Sequence, residues 1–280
     1  MKTTLSNQEL QALGDEGIIP APVESEEAFL KEVTFLKQID KEVEKRILGY
    51  LFEKWECDFG QKLGANVSWV PLSYSNRALF FWQGAALWTF EIPDQGTIPM
   101  IQLRTAFKKG RFFLSSLEEV LCHESVHALR ARFHEPRFEE ILAYYHAPSK
   151  WRRFWGPFFR TPRDAFFSFF SLFFSLFLQG VSFFFTDSFF FYLTFAPVFP
   201  LIDLAYKCFS LIKDQRVLKR ALLTLCQVFP KEKQGFPIAV RLTDLEIQKF
   251  AKISLQEAVN YIRQMAKQSV RWRQIVAQFS

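Results

Sequence analysis

All four histidines of this 280-residue chain fall between positions 123 and 146, and two of them frame the run His123-Glu124-Ser125-Val126-His127. On a helix, side chains four apart project from one face about one turn from each other, so both imidazoles can reach one metal ion. Glu124 then stands beside that ion. The helix that must hold them is signalled by its surroundings. Ser115 with Glu118 and Ser116 with Glu119 have capping-box spacing, and Leu117, Val120, Leu121 and Ala128 supply an apolar stripe behind the histidines. The spacing predicts a helix over Ser116 to Phe133. The competing reading is an amphipathic helix whose histidines meet ordinary hydrogen-bond partners.

Catalytic zinc sites generally take three protein donors and leave the fourth position to water. His134 follows His127 by seven residues, which on a continuous helix places it about 10 Å further along the axis, out of reach unless the helix breaks. The segment Phe138 to Tyr145 is better placed. Pro136 suits the first position of a second helix, and Phe138, Leu142 and Tyr145 would form its buried stripe, leaving Glu139 and Glu140 free to turn toward the first helix. His146 is a further donor candidate.

The H-E-x-x-H spacing resembles that of the zincins, in which the two helical histidines hold Zn²⁺ and the intervening glutamate takes a proton from the metal-bound water. The metzincin branch would need Gly at 130 and His at 133, where this chain has Arg130 and Phe133. Over roughly residues 66 to 146 the chain is more similar to the gluzincins, whose third ligand is a glutamate on a following helix, commonly with a small residue three positions later. Glu140 with Ala143 matches that pattern better than Glu139 does. The resemblance implies Zn²⁺ held by His123, His127 and Glu140, Glu124 as general base, a peptide or protein substrate, and a nearby Tyr or His that stabilises the oxyanion. Tyr144, four residues after Glu140, is the candidate for that role; His146 or His134 could serve instead.

A second feature is apolar. No charged residue occurs from Ala165 to Thr186, and after Asp187 the run from Ser188 to Ile202 is again uncharged. The first run, as a helix, covers about 33 Å, enough to cross the hydrocarbon core. The second reaches similar length if it continues past Asp203 to Tyr206, although Pro197 and Pro200 interrupt it. The expectation is a two-span transmembrane hairpin, about 165–186 and 188–206, with one span plus a re-entrant or interfacial segment as the fallback. Ser168, Ser171, Ser175 and Ser182 form a narrow small-residue stripe on which the second span, or a second copy of the chain in a homo-oligomer, could pack. The anchor resembles that of membrane-bound quality-control proteases.

Charge gives the orientation. Residues 150 to 163 carry a net +5 and residues 207 to 220 a net +4 of the chain's +6, so the remainder sums to −3. Both flanks of the hairpin are positive while its tip has only Asp187, so the positive-inside rule places both termini in the cytoplasm. Trp151 and Trp155 suit the headgroup layer. The pI of about 9.1 is thus a membrane-flank property, and no basic stripe argues for nucleic acid.

The polar run Met1 to Gly17 lacks the apolar core of a secretory signal, and Cys57, Cys122, Cys208 and Cys226 have no C-x-x-C spacing, which suits free thiols in a reducing compartment. Residues 24 to 58 read as helical, opening at Ser25. Val67 to Leu72, Ala78 to Trp82, Ala85 to Ile92 and Ile98 to Leu103 read as strands of a small, mainly antiparallel sheet. By analogy with zincins, Ile98 to Leu103 is the expected edge strand that pairs with extended substrate. Beyond the hairpin, Thr243 with Glu246 and Ser254 with Glu257 have capping-box spacing in a helical region that would pack on the lobe as the lower wall of a cleft or form a separate module.

The expected fold is therefore α+β: N-terminal helices over 1–62, a zincin-like lobe over 63–149, the basic flank and membrane hairpin over 150–206, and a C-terminal helical region over 207–280. The expected function is a membrane-anchored, cytosol-facing zinc peptidase. Its rival is a non-catalytic membrane hairpin protein, either a partner-binding protein or a pseudo-peptidase.

Overall fold

A computed structural model of the chain describes residues 4–38, 52, 53, 55, 56, 58–92, 96–182, 195–231 and 235–280. The fold is α+β, mostly helical, with a small mixed sheet. Helix α1 (Asn7–Asp15) opens with a complete capping box between Ser6 and Glu9. Helix α2 (Glu26–Gln38) opens where expected, with the Ser25 hydroxyl accepting the Ala28 N–H at 3.2 Å. It does not belong to one helix running to 58. Positions 39–51 lie outside the described residues, but Glu53 is extended, its N–H donating to the Leu72 carbonyl at 2.9 Å, and the Trp55 indole N–H reaches the Val70 carbonyl at 2.8 Å.

The sheet contains β1 (Leu72–Tyr74), β2 (Ala85–Ile92) and β3 (Gly96–Leu103) in the order β1-β3-β2. Strands β2 and β3 form an antiparallel hairpin, registered from Ala85 opposite Leu103 to Ile92 opposite Gly96, while β1 runs parallel to β3. This corrects three expectations. Ile98 to Leu103 belongs to the central strand, paired by β2 along its whole length on one side and by β1 over Ile101 to Leu103 on the other, so it is not an edge strand. Val67 to Val70 forms a turn, with only Leu72 of the expected segment in a strand. Ala78 to Trp82 is also a turn: Ala78 has φ +60, and the Arg104 guanidinium gathers the Gln83 carbonyl at 2.8 Å together with that of Phe80, acceptors that a strand would give to its neighbour.

The short hairpin β4 (Arg111–Phe112) and β5 (Ser115–Ser116) leads into α3 (Leu117–Arg130), capped by the Ser116 hydroxyl on the Glu119 N–H at 3.2 Å. Such a cap is worth about 1 kcal/mol. Helix α4 (Pro136–Ala143) begins at its proline, and α5 (Lys150–Trp155) follows. Helix α6 (Pro162–Ser182) contains, from Arg163 to Ser182, a stretch long and apolar enough to cross a membrane. Of the expected second span, 188–194 lies outside the described residues. The described remainder begins α7 (Val198–Val228), which continues without a break for 31 residues. Pro197 and Pro200 stand at its N-cap and first turn, where their missing N–H groups cost nothing, so they start the helix instead of interrupting it.

Helices α6 and α7 are joined by polar contacts. The Ser168 hydroxyl donates to Asp203 Oδ2 at 2.6 Å, and Lys207 Nζ donates to the same oxygen at 2.8 Å. Ser168 therefore faces α7, whereas the Ser171 and Ser182 hydroxyls donate to carbonyls of their own helix.

One core runs from the sheet to the C-terminus. Phe59, Leu103, Leu129, Leu142, Leu222, Ile247 and Phe279 all belong to it. The final helices α8 (Asp244–Phe250), α9 (Leu255–Gln268) and α10 (Val270–Phe279) carry the expected capping boxes at Thr243 and Ser254. Buried guanidinium groups tie this region to the rest and to itself: Arg130 donates to the Leu242 carbonyl at 2.7 Å and Arg241 to the Gly64 carbonyl at 2.9 Å, while Arg271 of α10 grips both oxygens of Glu246 of α8 at 2.9 and 2.8 Å.

Asp214, on α7, is 1% exposed and accepts from Arg137 of α4 at 2.7 Å while Arg160 Nη1 stands 2.7 Å from its other oxygen. One buried carboxylate thus joins α4, the approach to α6 and the long helix. Asp214→Ala removes the buried acceptor from two partly exposed guanidinium groups and should cost about 1–3 kcal/mol, read as a lowered urea midpoint of the detergent-purified chain. Unchanged stability would show that the junction is not held there.

Candidate functional site

The chain reverses between α3 and α4 through a turn at 131–133 and His134, whose φ of +52 lies in the left-handed region. The reversal packs α4 against α3 and turns the Glu139 and Glu140 carboxylates toward the two histidines. His123 Nε2 and His127 Nε2 stand 3.1 Å apart, Glu140 Oε2 is 3.8 Å from the first, and Glu140 Oε1 is 3.5 Å from the second. Donors sharing one tetrahedral cation at about 2.0–2.1 Å each stand about 3.3–3.4 Å apart. The observed separations bracket that value, so the three groups fit a zinc-sized ion, and other divalent cations of that size equally.

Glu139 does something else. Its Oε1 lies 2.8 Å from His127 Nδ1, on the opposite edge of that ring from Glu140. Accepting the Nδ1 proton fixes the tautomer and leaves the Nε2 lone pair free for a cation, as outer carboxylates do for metal-bound histidines. The two adjacent acids are thus placed on different edges of one imidazole.

Glu124, one residue along α3, is 7% exposed. Burial, with the Glu140 charge adding and the His127 ring opposing, pushes its carboxyl up to about 7. His127 is buried too, which disfavours its charged form, but its bond to Glu139 and the charges of Glu140 and Glu124 outweigh that and raise it to about 9. His123 is held well below the usual imidazole range by burial, then by His127 and Arg152. The pair therefore carries its proton on His127. Burial, assisted by Glu139, also raises Glu140.

A cleft of about 410 Å³ opens beside His123 and Glu124. Its walls include Gly84 and Ala85 at the start of β2, Phe113 and Leu114 of the β4–β5 turn, Glu119, Tyr144 and Arg152. The Tyr144 ring lies edge-on to His123 with centroids 4.5 Å apart. Its hydroxyl is kept protonated by burial and by Glu140, and Arg152 hydrogen-bonds it. Arg152 Nη1 in turn stands 2.8 Å from Glu119 Oε1.

The other histidines lie apart from the cluster. His146 lines the cleft but directs Nε2 to the Lys62 carbonyl at 3.1 Å, and burial lowers it to about 4. His134 is exposed in its turn. The C-terminal helices back α3 and α4, and among the described residues they contribute nothing to the cleft walls.

Three participants carry no local sequence signal. Arg152 has the pattern of a membrane-flank charge, yet it lines the cleft. Glu119 has the spacing of a capping-box partner, but its carboxylate turns to Arg152. Gly156 gave no turn signal: its φ of −52 is ordinary, and its role is space, because a Cβ there would come within 2.4 Å of the Tyr144 ring.

Two outcomes follow for cation binding. Glu139→Gln should lower divalent-cation affinity about 10- to 100-fold without removing a direct donor, measured by competition with a chromophoric chelator. Because a bound cation must displace the His127 proton, affinity should rise with pH by about tenfold per unit below about pH 9. A flat pH profile would contradict the protonation assigned to that ring. Comparison with family models, curated proteins and solved structures finds no match for this chain, so the site is read on its own geometry.

Proposed function

We propose that the chain is a membrane-anchored zinc peptidase of the gluzincin kind, with His123, His127 and Glu140 as metal ligands, Glu124 as general base and Tyr144 as oxyanion donor. One observation carries the reading: donor atoms of His123, His127 and Glu140 lie within 4.8 Å of one another, and the buried Glu124 lines the cleft together with His123. A divalent cation held by these donors supplies Lewis acidity, which acidifies water and polarises a carbonyl. The chain's own groups do the rest. Glu124, raised to about 7, is poised to accept a proton from water near neutral pH and return it to the leaving amine. Tyr144, still protonated and steered by Arg152, donates a hydrogen bond to the developing oxyanion.

The zincin-like lobe is supported by the order of parts: a small sheet, then the histidine helix, then the glutamate helix. With β3 in the centre of the sheet, β2 takes its place as the edge that an extended substrate would meet, since its first residue, Ala85, already borders the cleft.

Membrane anchoring rests on α6. Phe166, Phe167, Phe169, Phe170, Phe173, Phe174, Leu176 and Phe177 are each more than half exposed and cover the half of the helix turned away from Ser168 and the buried Ser175. Left in water, such a surface forgoes on the order of 10 kcal/mol, comparable with the whole stability of a domain. The first turns of α7 expose Phe199, Leu201, Ile202 and Phe209 in the same way, which favours a returning span. Basic flanks on both sides then orient the lobe toward the cytosol.

Glu124→Gln should keep one bound cation per chain and lose peptide hydrolysis by at least about 100-fold, whereas His123→Ala should lose both. A binding protein would be indifferent to the first change. Equal hydrolysis by wild type and Glu124→Gln would overturn the mechanism.

A further inference from the structure

Two turns border the cleft, one leading into β2 and one joining β4 to β5, and both turn large apolar side chains toward solvent. Trp82 of the first is 57% exposed, and Phe113 and Leu114 of the second are 75% and 94% exposed. Residues 78–90 and 112–117 contain no Asp, Glu, Lys or Arg. The backbone holds these side chains outward. Arg104 donates from its main-chain N–H to the Gly84 carbonyl at 2.8 Å, from Nε to the Gln83 carbonyl at 2.8 Å and from Nη2 to that of Phe80, while its guanidinium lies 5.0 Å from the centre of the Phe112 ring. One residue thus fastens both turns. They come together at Gly84, where a Cβ would stand 3.1 Å from the Phe107 ring and 3.5 Å from that of Phe112. Within the first turn the Phe80 and Trp82 rings stack, with centroids 5.0 Å apart and planes 3° from parallel. In the second, Phe113 has φ +48, a left-handed conformation that bulky residues rarely adopt.

An aromatic side chain held in one exposed position loses little entropy when a ligand covers it, and covering it removes apolar area from water. What covers this patch follows from what it adjoins. It is continuous with the cleft that holds His123 and Glu124 and with the start of β2, an edge strand, so a chain extended along that edge brings its side chains over Trp82, Phe113 and Leu114. Of the charged residues lining the cleft, Arg152 and Glu119 neutralise each other at 2.8 Å and Glu124 serves the proposed chemistry. Recognition at the two turns therefore falls to apolar contact. We infer that they form a selectivity surface for an extended polypeptide carrying a large apolar side chain, aromatic or leucine-sized, close to the bond that meets the histidine–glutamate cluster. A charged side chain there would lose water and gain no partner.

The inference rests on the peptidase reading above, and binding is measured apart from hydrolysis so that the two fail separately. Full-length Glu124→Gln chain, purified in detergent in zinc-containing buffer, is titrated by fluorescence polarisation with short dye-labelled Gly-Ser-Thr peptides that carry one central Phe, Ala, Glu or Lys. The Phe peptide should bind at least about tenfold more tightly than each of the others. Combined Trp82→Ser, Phe113→Asn and Leu114→Ser should bring all four within about twofold of one another, with the thermal midpoint unchanged because the three side chains lie at the surface. Trp82→Phe with Leu114→Met should retain the preference, which separates loss of apolar contact from loss of fold. Equal binding of the Phe and Ala peptides, tighter binding of a charged one, or a preference that survives the triple substitution, as it would if the turns instead met a lipid surface or a second copy of the chain, would each overturn the inference. The same preference without any hydrolysis by the wild-type chain would sink the peptidase reading and leave the selectivity surface standing.

Discussion

Five ionisable side chains, His123, His127, Glu124, Glu139 and Glu140, are crowded into one partly buried volume, and their mutual electrostatics govern the rest of this structure. Burial disfavours every charge among them, yet three carboxylates and two imidazoles cannot all be neutral without wasting the hydrogen bonds they offer. A proton on His127 compensates in part, consistent with its upward shift and the downward shift of its partner ring. A divalent cation at the meeting point of the two Nε2 atoms and Glu140 would compensate more fully, since it satisfies three lone pairs at once.

Holding donors so close requires rigid supports, and each ligand helix has one. Helix α3 is capped by Ser116 and anchored at its far end by Arg130, which reaches main-chain carbonyls more than a hundred residues later. Helix α4 starts at Pro136 and is tied by Arg137 to Asp214. The same aspartate receives Arg160, just before the apolar helix. The histidine–glutamate geometry and the apolar helix therefore meet at one carboxylate, and the apparently separate C-terminal region acts as the buttress behind both α3 and α4.

What the sequence made legible is what depends on near neighbours along the chain. The four-residue spacing of His123 and His127, the Pro136 start of the second helix, and the Ser and Thr caps are local statements, and the fold keeps them. The preference for Glu140 over Glu139 came from a family pattern; the ring edges of His127 give it a physical basis. Features set by distant partners were illegible. Strand β1 is three residues long, too short for any alternation to show, yet by pairing with Ile101 to Leu103 it makes the expected edge strand a central one. Phe80, Phe81 and Trp82 have strand-forming side chains, but Arg104 draws their backbone into a turn. Arg152 reads as a flank charge until α5 folds back over Tyr144, and Gly156 matters only because an aromatic ring lies against it.

The central claim is that three side chains converge on one divalent cation, and metal content tests it most directly. Full-length chain purified in detergent without chelator, then dialysed against trace zinc, should hold one equivalent by elemental analysis, and Glu140→Ala should hold far less at the same free zinc concentration. Wild type with no tightly held equivalent, or a Glu140→Ala chain that retains it undiminished, would contradict the account.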